Sequence, residues 1–518
     1  VNTIADEAVA ADASANRPDA GRPSVMSLRQ IACLSGVLAV LWAVSLAFLL
    51  PSIVTTDVGW YLFATRKWLE GAELYHDLME VNPPLAFYVT VPATLVEMAG
   101  WLDEQRALFV YVAALIAVSL GWSLRYVLRM PLNIRETCVL ALAIFAAMFL
   151  VPFADFGQRE QLAMVFAMPY VIMSALPASA RVSLAERFTV GAFAVLGLAL
   201  KPYFLAVPAM VAFARIASAR SLSKAPRILF APEHLAIALG CLAYLALIWL
   251  RHPAYLETVL PLASRFYISV GHQFAVPMKI AGGVLFFAFP LVLAMWVRPA
   301  GDRDGALAVV SAAAVGFLIS YLVQGKAWHY QIVPVVSCAI VAAAVYAGDL
   351  LRPGRPALPA AVLAFAMVVG IADPLIRSGG VHSDTERLLA TYRDRLEGRR
   401  IAGWSSVVQT GFPLVNLTDA DWTVRYPHLW SFYGAMRFSA QTEDPQLRHD
   451  ARNVMADARR QIVDDLVVAK PDIVLVETYL GDAFLDYLSG DERFTSAFGP
   501  YRRIGTIGET EIWQRTGG

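Results

Sequence analysis

The chain has 518 residues, of which 58% are hydrophobic and 16% charged, with Lys plus Arg and Asp plus Glu balanced at 42 each. That composition excludes an ordinary soluble enzyme and places the chain among integral membrane proteins. Zero net charge also excludes recruitment of nucleic acid by bulk electrostatics, so the distribution of charge carries more than its sum.

Residues 1–27 are rich in Ala, Asp, Ser and Pro, lack periodicity, and read as a disordered cytoplasmic tail. The apolar run 31–50 is long enough to cross a bilayer, too long for a signal-peptide core, and reads as an uncleaved first span. Further apolar runs fall near 107–127, 137–152, 161–177, 188–200, 203–217, 234–250, 278–297, 306–323, 331–348 and 359–376. The expectation is about eleven transmembrane helices over 28–376.

Every second loop is basic. Arg125, Arg129 and Arg135 lie in one; Arg181 and Arg187 lie in the next of that set. Arg215, Arg220, Lys224 and Arg227 follow, then Arg298 and Arg303, then Arg352 and Arg355. By the positive-inside rule these loops and the N-terminus face the cytoplasm of a bacterial inner membrane. Residues 377–518 then lie in the periplasm. Helical patterns at 384–396 and 450–468 alternate there with strand-like runs at 400–407, 472–477, 503–508 and 511–514, which predicts a small α/β domain. The four cysteines (Cys33, Cys138, Cys241, Cys338) all fall in apolar runs and read as buried small hydrophobes rather than a disulfide framework.

No Gly-rich phosphate loop, Cys/His metal spacing, nucleophile elbow or fixed-period repeat occurs, and the cytoplasmic loops are short. Chemistry is therefore expected at the outer face. The polar groups that fall there are Asp57 and Glu80 after the first span, Asp155, Gln158, Arg159 and Glu160 before the fourth, and Lys201 between the fifth and sixth. Arg265 follows the seventh, and Lys326, His329 and Tyr330 join the ninth and tenth. Cations kept on the outer face beside apolar helix ends favour anion binding. Each has a plainer role open to it. Asp57 would cap a helix, Arg159 and Glu160 would pair with each other, and Lys201 would snorkel. Trp328 and Tyr330 would be belt aromatics, and His76 and His329 surface histidines. Trp60, Phe63, Ala64, Lys67 and Trp68 follow helical spacing, with Gly71 placed to end the helix; a short amphipathic helix in the interface would hold Asp57 at headgroup depth.

Asp57 after the first span, Tyr61-Leu-Phe-Ala64, Gly71-Ala-Glu-Leu-Tyr75-His-Asp77 and Asn82-Pro83-Pro84-Leu85 together resemble the GT-C superfamily of polytopic glycosyltransferases. That superfamily includes the protein O-mannosyltransferases and the transferases that add aminoarabinose to lipid A. The motifs cover about 35 residues; span number and an exterior domain extend the resemblance over the chain. Two departures stand out: Asn82 occupies a place where many relatives have lysine, and Val58 follows Asp57 where an acidic residue is frequent. The resemblance implies transfer of a sugar from a polyprenyl-phosphate donor to a lipid, glycan or protein acceptor, with inversion. Asp57 would be the general base. Arg159, Lys201, Arg265 and Lys326, with His329 and Tyr330, would bind the donor phosphate. Glu160 would orient Arg159. Asp155, Gln158, Glu80 and Tyr61 would bind or orient sugar and acceptor, and Asp155 would alternatively help hold a divalent metal ion, no other cofactor being implied. A lipid-linked glycan flippase, a ligase using a diphosphate-linked donor and a catalytically silent lipid-binding scaffold are the competing classes. Trp404, Trp422, Trp430 and Tyr433 would either stack on a glycan or form core.

Overall fold

The computed structural model describes residues 26–177, 179–267, 304–350, 383–479 and 481–516. The spans expected at 278–297 and 359–376, the arginines at 298, 303, 352 and 355, and nearly all of the N-terminal tail lie outside the described residues. Each of the other expected runs falls on a helix: α1 (Leu28–Leu49), then, after α2 (Thr56–Leu69), α3 (Glu104–Val127), α4 (Ile134–Phe149), α5 (Arg159–Ser174), α6 (Leu184–Leu198), α7 (Ala206–Ser218), α8 (Pro232–Arg251), α9 (Asp304–Gln324) and α10 (Val333–Leu350). Among the described residues five helices are long and apolar enough to cross a membrane: α1, α3, α8, 305–324 within α9, and 329–347 around α10. The rest are shorter. At 1.5 Å per residue, the 13 residues of α7 or the 16 of α5 fall short of a ~30 Å hydrocarbon core on their own.

Helix α5 is the centre of the bundle. All of its residues are buried, as expected of a helix that is apolar nearly all round. It packs against α3 and α6; α6 packs on α8, α7 on α9, and α4 on α10. Close crossings use glycine. A Cβ on Gly191 would lie 2.3 Å from the Glu233 carbonyl oxygen, and one on Gly316 would lie 2.6 Å from Val207 Cα. Helix α1 shows the opposite environment: Leu28, Val40 and Phe48 are exposed, as on a lipid-facing surface.

The loops segregate to two ends of the bundle. At one end Glu186 takes Arg125 and Arg129, and the buried Glu233 takes Arg187 and Arg215 at 2.7 and 2.8 Å. The loops bearing Asp57, Asp155, Lys201 and Lys326 gather around a single cavity instead. The cysteines are all free.

Residues 383–516 begin with α11 (Ser383–Leu396) and build a five-stranded sheet from β1 (Arg400–Trp404), β2 (Asp421–Trp422), β3 (Ile473–Glu477), β4 (Tyr501–Ile507) and β5 (Thr510–Arg515). The strand order is β2-β1-β3-β5-β4. Strand β1 is parallel to both neighbours, and the β3–β5 and β5–β4 pairs are antiparallel. Between the strands lie α12 (Trp430–Gln441) and α13 (Pro445–Ala469). Trp404, Trp422 and Trp430 are buried core, with Trp422 packed where Cβ atoms on Gly403 and Gly411 would collide with its ring. Only Tyr433 reaches the surface, beneath Arg437. The glycan-stacking alternative is thereby excluded for the three tryptophans.

Helix α2 does not lie on an interface with one face bare, as its spacing predicts. Val58 to Thr65 are consecutively buried. Its aromatic side joins the core of residues 383–516: Trp60 and Phe63 stand 5.4 and 5.7 Å from Phe412 between ring centroids. Polar contacts seal the junction. Asn416 Nδ2 donates to Gly59 O (3.0 Å) and Glu104 Oε2 (2.7 Å), Lys67 pairs with Asp421 at 2.9 Å, and Met79 N donates to Arg425 O at 2.7 Å.

A Cβ on Gly59 would lie 2.6 Å from Asn416 Oδ1 and 3.4 Å from Pro413 Cα. Gly59→Ala is therefore expected to lower the apparent unfolding temperature by several degrees, whereas Gly36→Ala, in the interior of α1 with open space around it, leaves it unchanged or slightly raised. Thermal unfolding in one detergent compares the two.

Candidate active site

The first motif folds as a bracket for Glu80 and Asp57. Gly71 (φ 112°) ends the turn after α2, which an L-residue would resist. Asp77 Oδ2 accepts the Glu73 amide (2.9 Å), and Tyr75, itself at φ 71°, donates its hydroxyl to Asn82 O (2.9 Å). Glu80 is buried: Oε2 accepts from Trp60 Nε1 (2.8 Å), and Oε1 accepts from the Asn82 amide (2.9 Å) and from Asn82 Nδ2. Burial pushes the Glu80 carboxyl up, against the opposing pull of Arg159 and Asn82. Asn82 thus serves as a hydrogen-bond donor to a carboxylate.

Asp57 sits in the first turn of α2, where the helix dipole favours an anion. It is not the cap. Thr55 holds the N-cap position, and its hydroxyl accepts from Gln158 Nε2 at 3.0 Å. Asp57 Oδ2 accepts from Arg159 Nη2 (3.3 Å) and from the Tyr330 hydroxyl (3.1 Å). No hydrogen bond among the described residues engages Oδ1.

Arg159 opens α5 with its side chain 5% exposed and its guanidinium 5.0 Å over the Tyr61 ring. Its Nε and Nη1 have no hydrogen-bond partner among the described residues. Glu160 does not orient it. Glu160 Oε1 instead holds Lys201 Nζ at 2.6 Å, and Lys201 also donates to Gln324 Oε1 at 2.8 Å. The Arg159–Glu160 pair is excluded for the same reason: adjacent residues at a helix start point apart, and each finds its counter-charge on another element. Lys201 is buried, so it does not snorkel.

Lys326 Nζ donates to Tyr267 O at 2.6 Å and lies 4.1 Å over the Tyr267 ring. Burial, helped by Arg437, lowers its ammonium to about 8. His329 Nε2 contacts Asp155 Oδ1 at 2.9 Å, and the imidazole is 60% exposed.

These groups share a cavity of about 330 Å³ lined by Asp57, Tyr61, Glu80, Asp155, Gln158, Arg159, Lys201, Lys326, His329 and Tyr330. Two expected members differ. Glu160 acts one step back, through Lys201. Arg265 is absent from the lining, because its guanidinium turns to Asp450 on α13 at 2.6 Å while Ala263 and Ser264 beside it face the cavity. Five lining residues come from 383–516 and were not anticipated: Ser406, Val407, Val408, Gln409 and His428. The only advance signal for the 406–409 stretch is position: it straddles the end of the strand expected at 400–407, which in the structure stops at Trp404. Among the described residues no three His, Cys, Asp or Glu side chains converge on one point.

Unpartnered polar atoms concentrate here: Gln158 Oε1, Arg159 Nε and Nη1, Glu160 Oε2 and Gln331 Oε1. Each such group costs about 1–3 kcal/mol when left dry. Lys201→Met would strand Glu160 as a second uncompensated charge, so a loss of about 3–5 kcal/mol of stability is expected. The double variant Lys201→Met/Glu160→Leu should regain most of it. Unfolding midpoints of the three chains check both expectations.

No protein-family model and no curated protein matches the sequence. Solved structures do match. ArnT from Cupriavidus metallidurans bound to undecaprenyl phosphate superposes with a TM-score of 0.57 over 94% of this chain and 98% of ArnT, at 13% identity. The apo ArnT from the same organism gives 0.57 over 93% and 97%, at 16% identity. Identity this low carries the fold and nothing finer. The chain is an integral membrane protein with the fold of ArnT, the fold that the motifs of residues 57–85 imply.

Proposed function

We propose that the chain is a glycosyltransferase that moves a sugar from a polyprenyl-phosphate carrier to an acceptor hydroxyl at the periplasmic face of a bacterial inner membrane. About eleven spans would carry the basic loops on the cytoplasmic side, with residues 377–518 as an exterior domain. One observation carries this reading. The only hydrogen bonds to Asp57 among the described residues enter through Oδ2, from Arg159 and Tyr330, which leaves Oδ1 free in a cavity that also holds three buried cations.

In the reaction, Asp57 Oδ1 takes the proton of the acceptor hydroxyl as its oxygen attacks the anomeric carbon. The bond from that carbon to the phosphate oxygen breaks with inversion, and the electron pair leaves on the lipid phosphate. Charge that grows on this leaving group meets the vacant N–H groups of Arg159 and the ammonium groups of Lys201 and Lys326, donors fixed before the substrate arrives. Tyr330 and Arg159 hold the carboxylate in one orientation. Asp155 with His329, and Glu80 with Asn82, present acceptors for sugar hydroxyls. A transporter would use the same cavity but gives no reason for a singly engaged carboxylate.

Asp57→Asn retains the shape and removes the base. Transfer from labelled undecaprenyl-phosphate sugars to a mixture of lipid and glycan acceptors should fall about 10²–10⁴-fold, with undecaprenyl phosphate affinity changed little. Transfer at the wild-type rate would contradict the assignment. Lys326 supplies a second test. Its ammonium is charged below about 8 and neutral above it. Affinity for undecaprenyl phosphate is therefore expected to weaken as pH rises from 7 to 9, and Lys326→Arg should flatten that dependence, because guanidinium stays charged throughout.

A further inference from the structure

The cavity is chemically divided by the part of the chain that supplies it. Among the described residues, helices and the loops between them contribute every Asp, Glu, Lys and Arg in the lining: Asp57, Glu80, Asp155, Arg159, Lys201 and Lys326. Residues 383–516 contribute only Ser406, Val407, Val408, Gln409 and His428. This part of the wall has hydrogen-bonding groups and no formal charge, for burial and the nearby Lys326 lower the His428 imidazole to about 4 and keep it neutral at physiological pH. His428 Nδ1 is buried without a partner. Trp328, 37% exposed at the same cavity, adds an aromatic ring.

The 405–409 segment leaves β1 at its carboxyl end, beside the end of the parallel neighbour β3. Glu477, the last residue of β3, is buried and fixes the segment: its carboxylate accepts the Ser406 amide (2.6 Å) and the Ser406 hydroxyl (3.0 Å). Ser405 Oγ then accepts from Val407 N (3.0 Å) and Thr410 Oγ1 (2.7 Å). A buried carboxylate spent on donors from two adjacent serines, Ser405 and Ser406, is a positioning device. Its charge stays behind the loop and the loop presents neutral groups forward.

We propose that Ser406, Gln409 and His428, with the Trp328 ring, form the acceptor subsite, that this subsite takes an uncharged, hydroxyl-rich group such as a glycan, and that Glu477 is its positioning residue. The assignment rests on the transferase reading above. A neutral imidazole and a carboxamide each pair with sugar hydroxyls as donor or acceptor, the Ser406 oxygen, whose proton is given to Glu477, is left to accept, and an aromatic face covers the apolar side of a pyranose or furanose ring. A phosphorylated acceptor would need cations on this wall; residues 383–516 contribute none to the lining, and Lys326, the cation near His428, belongs to the helical part. The cations that do line the cavity come from the helical part.

The test uses the full chain in lipid nanodiscs and two soluble probe classes: a panel of p-nitrophenyl glycosides (gluco, galacto, manno and arabino) and p-nitrophenyl phosphate. Undecaprenyl phosphate is titrated in parallel. At least one glycoside should bind the wild type. Gln409→Ala and Glu477→Gln should each weaken that glycoside at least fivefold and leave undecaprenyl phosphate affinity within twofold. In transfer assays both variants should raise the acceptor KM with little change in kcat. Gln409 is exposed, so its truncation keeps the test valid if Glu477→Gln misfolds. The subsite is refuted if no glycoside binds, or if p-nitrophenyl phosphate binds instead and responds to the same substitutions. Equal loss of glycoside and undecaprenyl phosphate affinity in Gln409→Ala also refutes it. Failure of the wild type to bind undecaprenyl phosphate at all would overturn the transferase reading itself, a separate result.

Discussion

The site depends on one carboxylate oxygen shared by two donors from distant parts of the chain. Asp57 Oδ2 accepts from Arg159 at the start of α5 and from Tyr330 in the loop between α9 and α10. Those contacts tie α2, the buried central helix and the α9–α10 connection to one point. They also decide the chemistry of the other oxygen. An aspartate held on both sides would be a strut, and an aspartate held on none would rotate. One held through Oδ2 alone keeps Oδ1 aimed and unspent. The same geometry leaves Arg159 with two unfilled nitrogens, so one ion pair fixes the base and still has donors for an anion.

The second organising constraint is a core that ignores the boundary between helices and sheet. Trp60, Tyr61, Phe63 and Phe87 pack in one cluster with Phe412, Trp422 and Trp430. Residues 383–516 therefore do more than follow the helices in sequence. They clamp α2, whose first turn bears Asp57, and they supply one wall of the cavity. Any displacement of the sheet would carry α2 with it, which links the position of the base to the occupancy of that wall.

Much of this was legible from residues. Apolar run length located the helices, the alternation of arginines separated the loops into two groups, and the structure gathers one group into ion pairs with Glu186 and Glu233 and the other around the cavity. Asp57, Arg159, Lys201, Lys326 and Tyr330 were reachable because polar groups beside apolar helix ends are costly and rarely idle. Pairing was not reachable. Arg159 and Glu160 are adjacent in sequence, yet helix geometry sends them to Asp57 and Lys201. Arg265 had the right charge in the right loop and was lost to Asp450, a partner 185 residues away. The burial of α2 was hidden because its aromatic stripe reads the same whether it meets lipid or another part of the chain. Ser406, Gln409 and His428 carry no charge pattern, and only the register of a sheet edge brings them to the site.

A structure of the chain with undecaprenyl phosphate bound would bear most directly on the central claim. The phosphate is expected within hydrogen-bonding distance of Arg159 Nε or Nη1 and of Lys201 or Lys326, with Asp57 Oδ1 facing open space beside it. A phosphate seated away from Arg159, for instance on the arginines around Glu233 at the other end of the bundle, would contradict the assignment of this cavity as the site of sugar transfer.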